Sequence, residues 1–318
     1  MAYRPEINGA VLQLASLGEY ADATLQTEFD AMQGWTMPAP ESWAVEDRLS
    51  VRVLVTSVRH GCEAGLLQKF PRLQAICSWG AGYDSLPVQE ARRRGILVSN
   101  TPGVLDECVA DMAWALLLAS SRTLCAGNAY VKTGRWLRNG EYPLSRRAWG
   151  KRLGILGLGR IGSAIARRGV GFGMEIRYHA RKPRGQVGYE YEGDLQALAA
   201  WSDFLVVACV GGEQTRGLVS ESVLQALGPQ GILINIARGS VVDEAAMIRL
   251  LEHGQLGGAG LDVVQGEPGA PLALRNLDNV VLMPHVGSAT YETRLAMEQL
   301  VVDNVREFMR NARVLSAI

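Results

Sequence analysis

The sequence has 318 residues, of which 48% are hydrophobic and 20% charged, with 32 basic and 32 acidic side chains that balance at neutral pH. A chain of this length can form two domains, each with a core of its own. The balanced charge argues against a surface for nucleic acid or membrane, so neither partner is expected.

Targeting and metal signals are also missing from the sequence. The longest apolar run, residues 112–119, is far too short to cross a bilayer, and the N-terminus has no apolar signal region. The cysteines are scattered without metal-site spacing, which is typical of reduced and mostly buried thiols. We therefore expect a cytoplasmic protein without a bound metal. The cysteines are Cys62, Cys77, Cys108, Cys125 and Cys209.

The first hundred residues alternate short apolar runs with helical patterns, which is typical of a parallel sheet with crossover helices. The predicted strands are residues 10–14, 51–56, 73–77 and 97–99. The breaker Asn100-Thr-Pro-Gly103 follows, and a long helix is predicted from residue 106 to residue 120.

The most informative motif is the turn Gly157-Leu-Gly159-Arg-Ile-Gly162, between a predicted strand at residues 153–156 and a predicted helix. Gly157 permits the tight turn, Gly159 permits close approach of a pyrophosphate, and Gly162 lets the helix pack on the strand. The phosphates would bind N–H groups at the positive end of the helix. This context favours a dinucleotide site over a glycine-rich structural turn.

The second strand of this series, residues 176–179, ends without the acidic residue that binds the ribose 2′-hydroxyl in NAD enzymes. It runs instead into Ala180-Arg181-Lys182-Pro-Arg184. Arg181 and Lys182 can bind a 2′-phosphate through charge-assisted hydrogen bonds, although a solvated basic turn is the alternative. We therefore predict NADP as the cofactor.

Four further strands, at residues 204–208, 232–236, 260–263 and 280–283, complete a series of six, as a dinucleotide-binding domain needs. Apolar residues at helical spacing then predict a last helix over residues 291–309. The apolar residues are Leu295, Leu300, Val301, Val305 and Phe308.

No strand follows this helix, so we expect it to cross back and pack on the first domain, with hinges near Pro102 and Pro284. The predicted fold is α/β, with two doubly wound parallel-sheet domains. A flavodoxin-like substrate domain takes residues 1–101 and 285–318, and a Rossmann dinucleotide-binding domain takes residues 102–284.

Three candidates for chemistry, Arg238, Glu267 and His285, each stand just beyond a strand of the second series, where ligands bind in open α/β sheets. Arg238 stands between a buried strand and a glycine, and its guanidinium fork suits a carboxylate. A surface arginine beside a helix cap is the alternative for Arg238. Glu267 follows the next strand but, taken alone, could be any acidic residue in a turn.

Elimination among the four histidines points to His285 as the acid–base candidate. His253 precedes a glycine at a helix end and reads as a C-terminal cap. His179 lies on the adenosine side, and His60 has no apparent partner. His285 stands at a strand end and a domain crossing, and a structural role for it stays an alternative.

Taken together and in this order, the motifs resemble the D-isomer-specific 2-hydroxyacid dehydrogenases over nearly the whole chain. The stretch Tyr-His-Ala-Arg-Lys is similar to the NADP-using branch of glyoxylate, hydroxypyruvate and hydroxyphenylpyruvate reductases. The matching motifs are Gly80-Ala-Gly-Tyr-Asp84, Asn100-Thr-Pro-Gly103, Gly157-Leu-Gly-Arg-Ile-Gly162, Asn235-Ile-Ala-Arg-Gly239, Gly260-Leu-Asp-Val263, Gly266-Glu-Pro268 and Pro284-His-Val-Gly-Ser-Ala-Thr290.

The resemblance implies a role for each catalytic and substrate-binding residue. Arg238 would bind the carboxylate of a 2-oxoacid and polarise its carbonyl. His285 would donate a proton to the carbonyl oxygen as hydride arrives from the nicotinamide, and Glu267 would hold His285 in its protonated form. The backbone N–H groups of Ala81 and Gly82 would bind the substrate carboxylate.

It also implies cofactor contacts. Asp262 would bond the nicotinamide carboxamide, unless it is a polar strand end that faces solvent. The loop from Cys209 to Thr215 departs from the His-x-Pro pattern of many members, which leaves its adenosine contact open. The cofactor-binding set is Gly157, Gly159, Arg160, Ile161, Gly162, Arg181, Lys182, Val210, Thr215, Ile236, Ala237, Arg238, Asp262, His285 and Gly287.

The family extends the segment around Trp136 towards a second subunit, so we expect a homodimer with Trp136 packed in its interface. Projection of Trp136 into the partner's pocket is the alternative. Arg59 and His60 either meet polar groups of the substrate or lie in a solvated loop. Arg294 is expected to be a surface pairing residue.

The predicted function is NADPH-dependent reduction of a small 2-oxoacid, such as glyoxylate or hydroxypyruvate, to the D-2-hydroxyacid in an interdomain cleft. Bulkier 2-oxoacids, hydroxyphenylpyruvate or 2-ketogluconate, are an alternative. A nucleotide-sensing protein like the C-terminal-binding-protein corepressors would use the same scaffold. The complete set of Arg238, Glu267 and His285 argues against it.

Overall fold

The computed structural model describes residues 10–318, which form two compact units. One unit comprises the residues up to Leu105 together with Ala289–Ile318, and the other comprises Asp106–Ser288. The chain thus changes unit after residues 105 and 288, whereas the sequence placed the boundaries after residues 101 and 284.

The first unit is built on a five-stranded parallel sheet in the order β2-β1-β3-β4-β5. This order is that of flavodoxin-like doubly wound sheets, so the predicted fold of this unit is confirmed. Its strands are β1 (Val11–Gln13), β2 (Met32–Gln33), β3 (Val53–Ser57), β4 (Ala75–Trp79) and β5 (Leu97–Ser99). Its helices are α1 (Glu19–Phe29), α2 (Val45–Ser50), α3 (Ala64–Lys69), α4 (Val88–Arg93) and the C-terminal helix (Tyr291–Asn311).

Strand β3 shows why helices cover both faces of this sheet. All five of its residues are buried. Because successive side chains of a strand point to opposite faces, Val53 and Val55 join one apolar cluster while Leu54 joins another. A strand buried on both faces is typical of a parallel sheet.

The C-terminal helix packs in the cluster that contains Val53 and Val55. Its residues Val301, Val305 and Phe308 are buried, as their spacing predicted, but Leu295 is 44% exposed. Leu295 precedes Val301 by six residues and therefore stands about 120° away from it around the helix. The apolar face is narrower than the sequence pattern suggested.

The second unit has seven parallel strands in the order β12-β11-β10-β9-β6-β7-β8. Counted within the unit this is 7-6-5-4-1-2-3, the Rossmann order with one added strand, which confirms the predicted dinucleotide-binding fold. The strands are β6 (Arg152–Leu156), β7 (Glu175–His179), β8 (Glu190–Tyr191), β9 (Phe204–Val207), β10 (Ile232–Asn235), β11 (Gly258–Leu261) and β12 (Val280–Leu282). The helices are α5 (Asp106–Ser121), α6 (Leu124–Lys132), α7 (Arg135–Asn139), α8 (Arg160–Gly171), α9 (Leu195–Trp201), α10 (Glu221–Leu227), α11 (Glu244–Glu252) and α12 (Leu272–Arg275).

Helix α5 matches the predicted helix and packs on the sheet of the second unit. Its residues Val109, Ala113 and Trp114 are buried. Among residues 10–318 no single helix has the length and apolar content to cross a membrane. Helices α5 and α6 reach the length and apolar content of a membrane span only when taken together, and they are bent by 60° relative to each other.

Candidate active site

The glycine turn follows β6 and has the geometry of a dinucleotide site. Gly157 has φ +99°, and a Cβ there would lie 2.6 Å from the backbone N of Cys209. At Gly162 a Cβ would lie 2.1 Å from the Gly157 carbonyl oxygen. By contrast, nothing lies within 4 Å of the Cβ position at Gly159. Two glycines therefore permit close packing, and the third leaves room for a phosphate, as a dinucleotide requires.

Helix α8 begins at Arg160, inside this glycine motif, and its first N–H groups are available to an anion. Its N-cap is Gly159, which has no side chain to accept from them. The first intrahelical bond joins Ser163 N to Gly159 O, so the amides of Arg160, Ile161 and Gly162 precede it. This arrangement fits a pyrophosphate.

The backbone of Cys209 lies against Gly157, and burial raises the pKa of its thiol to about 11. A thiol with this pKa is neutral at physiological pH. It therefore places no negative charge beside the expected pyrophosphate.

Arg181 and Lys182, in the basic turn after β7, are both exposed, which is compatible with a 2′-phosphate site and with a solvated turn alike. A third residue, Arg184, is fixed in place: its N–H donates to the Tyr178 hydroxyl over 2.7 Å. The Arg184 guanidinium also donates to the carbonyl oxygen of Leu158, inside the glycine turn. The sequence showed Arg184 only as part of a basic run, because nothing local signals its contact with Leu158.

The loop after β9 holds the predicted contacts Val210 and Thr215. The Thr215 hydroxyl donates to the Val210 carbonyl oxygen over 2.8 Å, which closes the loop. Val210 is 45% exposed. This leaves an apolar side chain at the surface of the loop.

The turn after β10 carries Arg238. Buried Asn235 organises this turn: its side chain accepts from Ala237 N over 3.0 Å and donates to Arg238 O over 3.0 Å. The neighbouring predicted contacts Ile236 and Ala237 are buried. The half-buried Arg238 donates from Nη1 to the Ala237 carbonyl oxygen over 2.7 Å, which fixes its guanidinium near the backbone.

Asp262 follows β11, and its environment shows that the solvent-facing alternative is wrong. It is 2% exposed, and its two carboxylate oxygens accept from Val286 N and Gly287 N, each over 2.8 Å. Its carbonyl oxygen accepts from His285 N over 2.9 Å. Asp262 therefore fixes three consecutive amides of the loop after β12, and its contact with the nicotinamide carboxamide stays a prediction.

His285 lies in that loop with φ +55°, a left-handed conformation that non-glycine residues seldom adopt. The three amide bonds to Asp262 hold the loop in this conformation. His285 Nδ1 lies 2.7 Å from a carboxylate oxygen of Glu267, whose other oxygen accepts from Val264 N over 3.2 Å. The carboxylate thus fixes the orientation of the imidazole ring.

Strand register brings these residues to one edge of the sheet. Asn235 pairs with Leu261, and Leu261 pairs with Leu282, so β10, β11 and β12 end at the same level. Arg238 and His285 each follow by three residues, on either side of Asp262. Neighbouring strands lie about 4.8 Å apart, so the strands that lead to Arg238 and His285 are separated by two such spacings at the same edge of the sheet.

The predicted substrate loop lies in the first unit, after β4. Gly80 has φ +127°, and a Cβ there would lie 2.2 Å from a Val58 methyl carbon. Arg59 and His60 follow Val58 and are exposed. The loops after β3 and β4 are therefore in contact, and this places Arg59 and His60 beside the loop of Ala81 and Gly82.

Two further predicted residues are also placed. Arg294, on the C-terminal helix, has its guanidinium 4.4 Å from the Trp79 ring centroid, so it makes a cation–π contact rather than only a surface ion pair. Trp136 is on α7 and is 62% exposed. Between residues 10 and 318 no cluster of histidine, cysteine, aspartate or glutamate has a metal-binding arrangement.

Comparisons with known proteins agree with these features. Residues 114–287 match the NAD-binding domain of the D-isomer specific 2-hydroxyacid dehydrogenases. The glyoxylate/hydroxypyruvate reductase A of Arabidopsis thaliana is 42% identical over 97% of this chain and 98% of that protein. The hydroxyphenylpyruvate reductase of Plectranthus scutellarioides is 40% identical over the same shares.

Among solved structures, a similar one is the NADPH-dependent glyoxylate/hydroxypyruvate reductase of Sinorhizobium meliloti in complex with NADP and malonate. It has a TM-score of 0.90 and 40% sequence identity, covering 97% of this chain and 96% of that one. The similarity therefore extends over both units and not only over the dinucleotide-binding one.

Proposed function

The chain belongs to the D-isomer-specific 2-hydroxyacid dehydrogenase family, and we propose that it reduces glyoxylate or hydroxypyruvate to the D-2-hydroxyacid with NADPH. One observation carries the proposal: His285 and Glu267 are hydrogen-bonded over 2.7 Å at the sheet edge that also carries Arg238. The relatives named as glyoxylate/hydroxypyruvate reductases support the choice of substrate.

Each residue of the site has its own role in the proposed reaction. Arg238 binds the carboxylate of the oxoacid and polarises its carbonyl, because its planar fork can donate to both groups. His285 donates a proton from Nε2 to the carbonyl oxygen, since Glu267 occupies Nδ1. NADPH, when bound, supplies the hydride. Asp262 keeps the His285 loop in position throughout.

Turnover of substrate tests the function. We expect NADPH oxidation on addition of glyoxylate or hydroxypyruvate, with hydroxyphenylpyruvate and 2-ketogluconate as further members of the substrate panel. Those two acids are included because relatives are named for their reduction. Binding of NADPH without turnover of any 2-oxoacid would instead indicate a nucleotide-sensing protein.

The basic turn predicts the choice of cofactor. One charge-assisted hydrogen bond to a 2′-phosphate contributes about 1.5–3 kcal/mol, so NADPH should exceed NADH at least about tenfold in kcat/KM. Replacing Arg181 and Lys182 by alanine should remove most of this preference because NADPH binding becomes weaker, whereas NADH turnover should change little.

The matched control is Arg249→Ala, which removes an exposed arginine of α11 that pairs with Glu221. It should leave the ratio of NADPH to NADH turnover unchanged. Equal use of both cofactors by the wild-type protein would mean that Arg181 and Lys182 are solvated, and the assignment of NADP would fail.

The surface around Trp136 supports a homodimer. Large apolar side chains are exposed on α7 and on the segment that follows it, including Trp136 at 62%, Leu137 at 93% and Leu144 at 102%. A monomer seldom exposes so many neighbouring apolar groups, and a second copy would cover them. Sedimentation should therefore show a dimer at micromolar concentration.

Leu137→Glu should convert that dimer to a monomer because it buries a charge in the interface. The control is Leu272→Glu, which changes a 63% exposed leucine on another helix, α12. A wild-type protein that sediments as an active monomer would contradict the prediction.

A further inference from the structure

The C-terminal segment of the chain ends in a hydrogen-bond network that reaches the substrate loop. Asn304, on the C-terminal helix, is 1% exposed, and its side-chain oxygen Oδ1 accepts from Leu315 N over 2.9 Å and from Ser316 N over 3.2 Å. Its side-chain nitrogen Nδ2 donates to the Ser316 hydroxyl oxygen over 2.9 Å. A buried asparagine thus fixes the backbone and the side chain of Ser316.

Ser316 is in turn hydrogen-bonded to Asn100. The Ser316 hydroxyl donates to the Asn100 carbonyl oxygen over 2.6 Å, and Asn100 N donates to the Ser316 carbonyl oxygen over 3.3 Å. A hydroxyl has one hydrogen to donate, and the short bond to Asn100 uses it. Asn100 is 8% exposed, and both its backbone N–H and its backbone carbonyl group are therefore bonded to Ser316.

Asn100 and its neighbour Thr101 hold the loop after β4. The Asn100 side chain donates to the Ala81 carbonyl oxygen over 2.7 Å. Thr101 N donates to the Gly80 carbonyl oxygen over 3.0 Å, and its hydroxyl oxygen accepts from Gly80 N over 2.9 Å. The carbonyl groups of Gly80 and Ala81 therefore both point at residues 100–101.

The direction of the Gly80 and Ala81 carbonyl groups also fixes the direction of the two N–H groups that follow them. In a planar trans peptide the N–H points opposite to the carbonyl of the preceding residue. The N–H groups of Ala81 and Gly82 therefore point away from residues 100–101. These are the two donors that the family resemblance assigns to the substrate carboxylate.

We propose that Ser316, Asn304 and Asn100 are positioning residues that aim the Ala81 and Gly82 N–H groups at the carboxylate of the oxoacid. The proposal rests on the proposed function, because it assumes a 2-oxoacid as the ligand of this loop. It gives the C-terminal segment a part in substrate affinity that acts through the loop of Ala81 and Gly82.

Steady-state kinetics with hydroxypyruvate and NADPH test the proposal. Ser316→Ala removes the hydroxyl bond to the Asn100 carbonyl oxygen and keeps the backbone bond from Asn100 N. Asn100 is then held less firmly, and the weaker positioning of the Ala81 and Gly82 N–H groups should raise KM for hydroxypyruvate about 3–10-fold, with kcat near wild type. The inhibition constant of malonate, a dicarboxylate probe that is not reduced, should rise by the same factor. NADPH affinity should stay unchanged, since the glycine turn lies in the other unit.

Two variants separate positioning from general stability. Ser316→Thr keeps the hydroxyl and should restore KM. Leu315→Ala shortens a 56% exposed side chain of the same segment but keeps the bond from Leu315 N to the Asn304 side chain. The KM of this variant should therefore match wild type. KM does not depend on the fraction of folded enzyme, so partial unfolding cannot imitate the expected result.

Unchanged KM and malonate inhibition in Ser316→Ala, beside an active wild type, would overturn the positioning role and leave the proposed function intact. An equal rise of KM in Leu315→Ala would also overturn it, because the effect would then be general to the segment. Absence of turnover in the wild type would overturn the function and the inference together.

Discussion

Replacing His285 by glutamine should lower kcat by about 10²–10⁴-fold and leave NADPH affinity near the wild-type value. Glutamine can still hydrogen-bond to Glu267, but it has no proton to give to the carbonyl oxygen at neutral pH. The loss should therefore fall on the chemical step. Single-turnover kinetics with saturating NADPH, together with a binding titration of the cofactor, measure the two quantities separately.

His253→Gln is the matched control for this substitution. His253 lies after α11 with Nδ1 2.6 Å from the Arg249 carbonyl oxygen, so it acts as a helix cap far along the chain from the catalytic loop. The control should keep wild-type kcat. If His285→Gln also retained its turnover at neutral pH, His285 would have no part in proton transfer.

The parts of the site that the sequence predicted are those set by local conformation. Gly157, Gly159 and Gly162 were assigned separate roles, and these roles depend on a turn only six residues long. In the structure Gly157 and Gly162 are closely packed and Gly159 is open. Both sheets were predicted for the same reason, since a buried parallel strand shows itself in a short apolar run.

What the sequence could not show are contacts between residues far apart in the chain. Ser316 and Asn100 are 216 residues apart, and neither stands in a motif that names the other. Asp262 was expected to bind the cofactor, and its bonds to Val286 and Gly287 depend on how β11 and β12 align. Pairing of this kind is settled by tertiary structure.

Strand length set a second limit. The edge strands β2 and β8 have two residues each, too few to show a periodic pattern, and neither was predicted. β8 nevertheless contacts the segment before the basic turn, since the Tyr191 hydroxyl donates to the Ala180 carbonyl oxygen over 3.1 Å. It therefore steadies the start of the basic turn.

Substitution of Arg238 by lysine should reduce kcat/KM for the oxoacid by about 10²–10³-fold, with a higher KM and a lower kcat. Lysine keeps the positive charge, so long-range attraction of the carboxylate is retained. It lacks the planar fork, however, and cannot donate to the carboxylate and the carbonyl oxygen together. KM should rise because the carboxylate loses a bond, and kcat should fall because the carbonyl is less polarised.

The same exchange at Arg249 is the control, because that arginine pairs with Glu221 on the surface and should tolerate lysine without a kinetic change. Malonate inhibition adds a test of binding alone, and it should weaken in Arg238→Lys in proportion to the rise in KM. A variant with wild-type KM but reduced kcat would mean that Arg238 acts only on the carbonyl. The carboxylate would then be held by the N–H groups of Ala81 and Gly82, and the network from Ser316 to Asn100 would govern substrate affinity without help from Arg238.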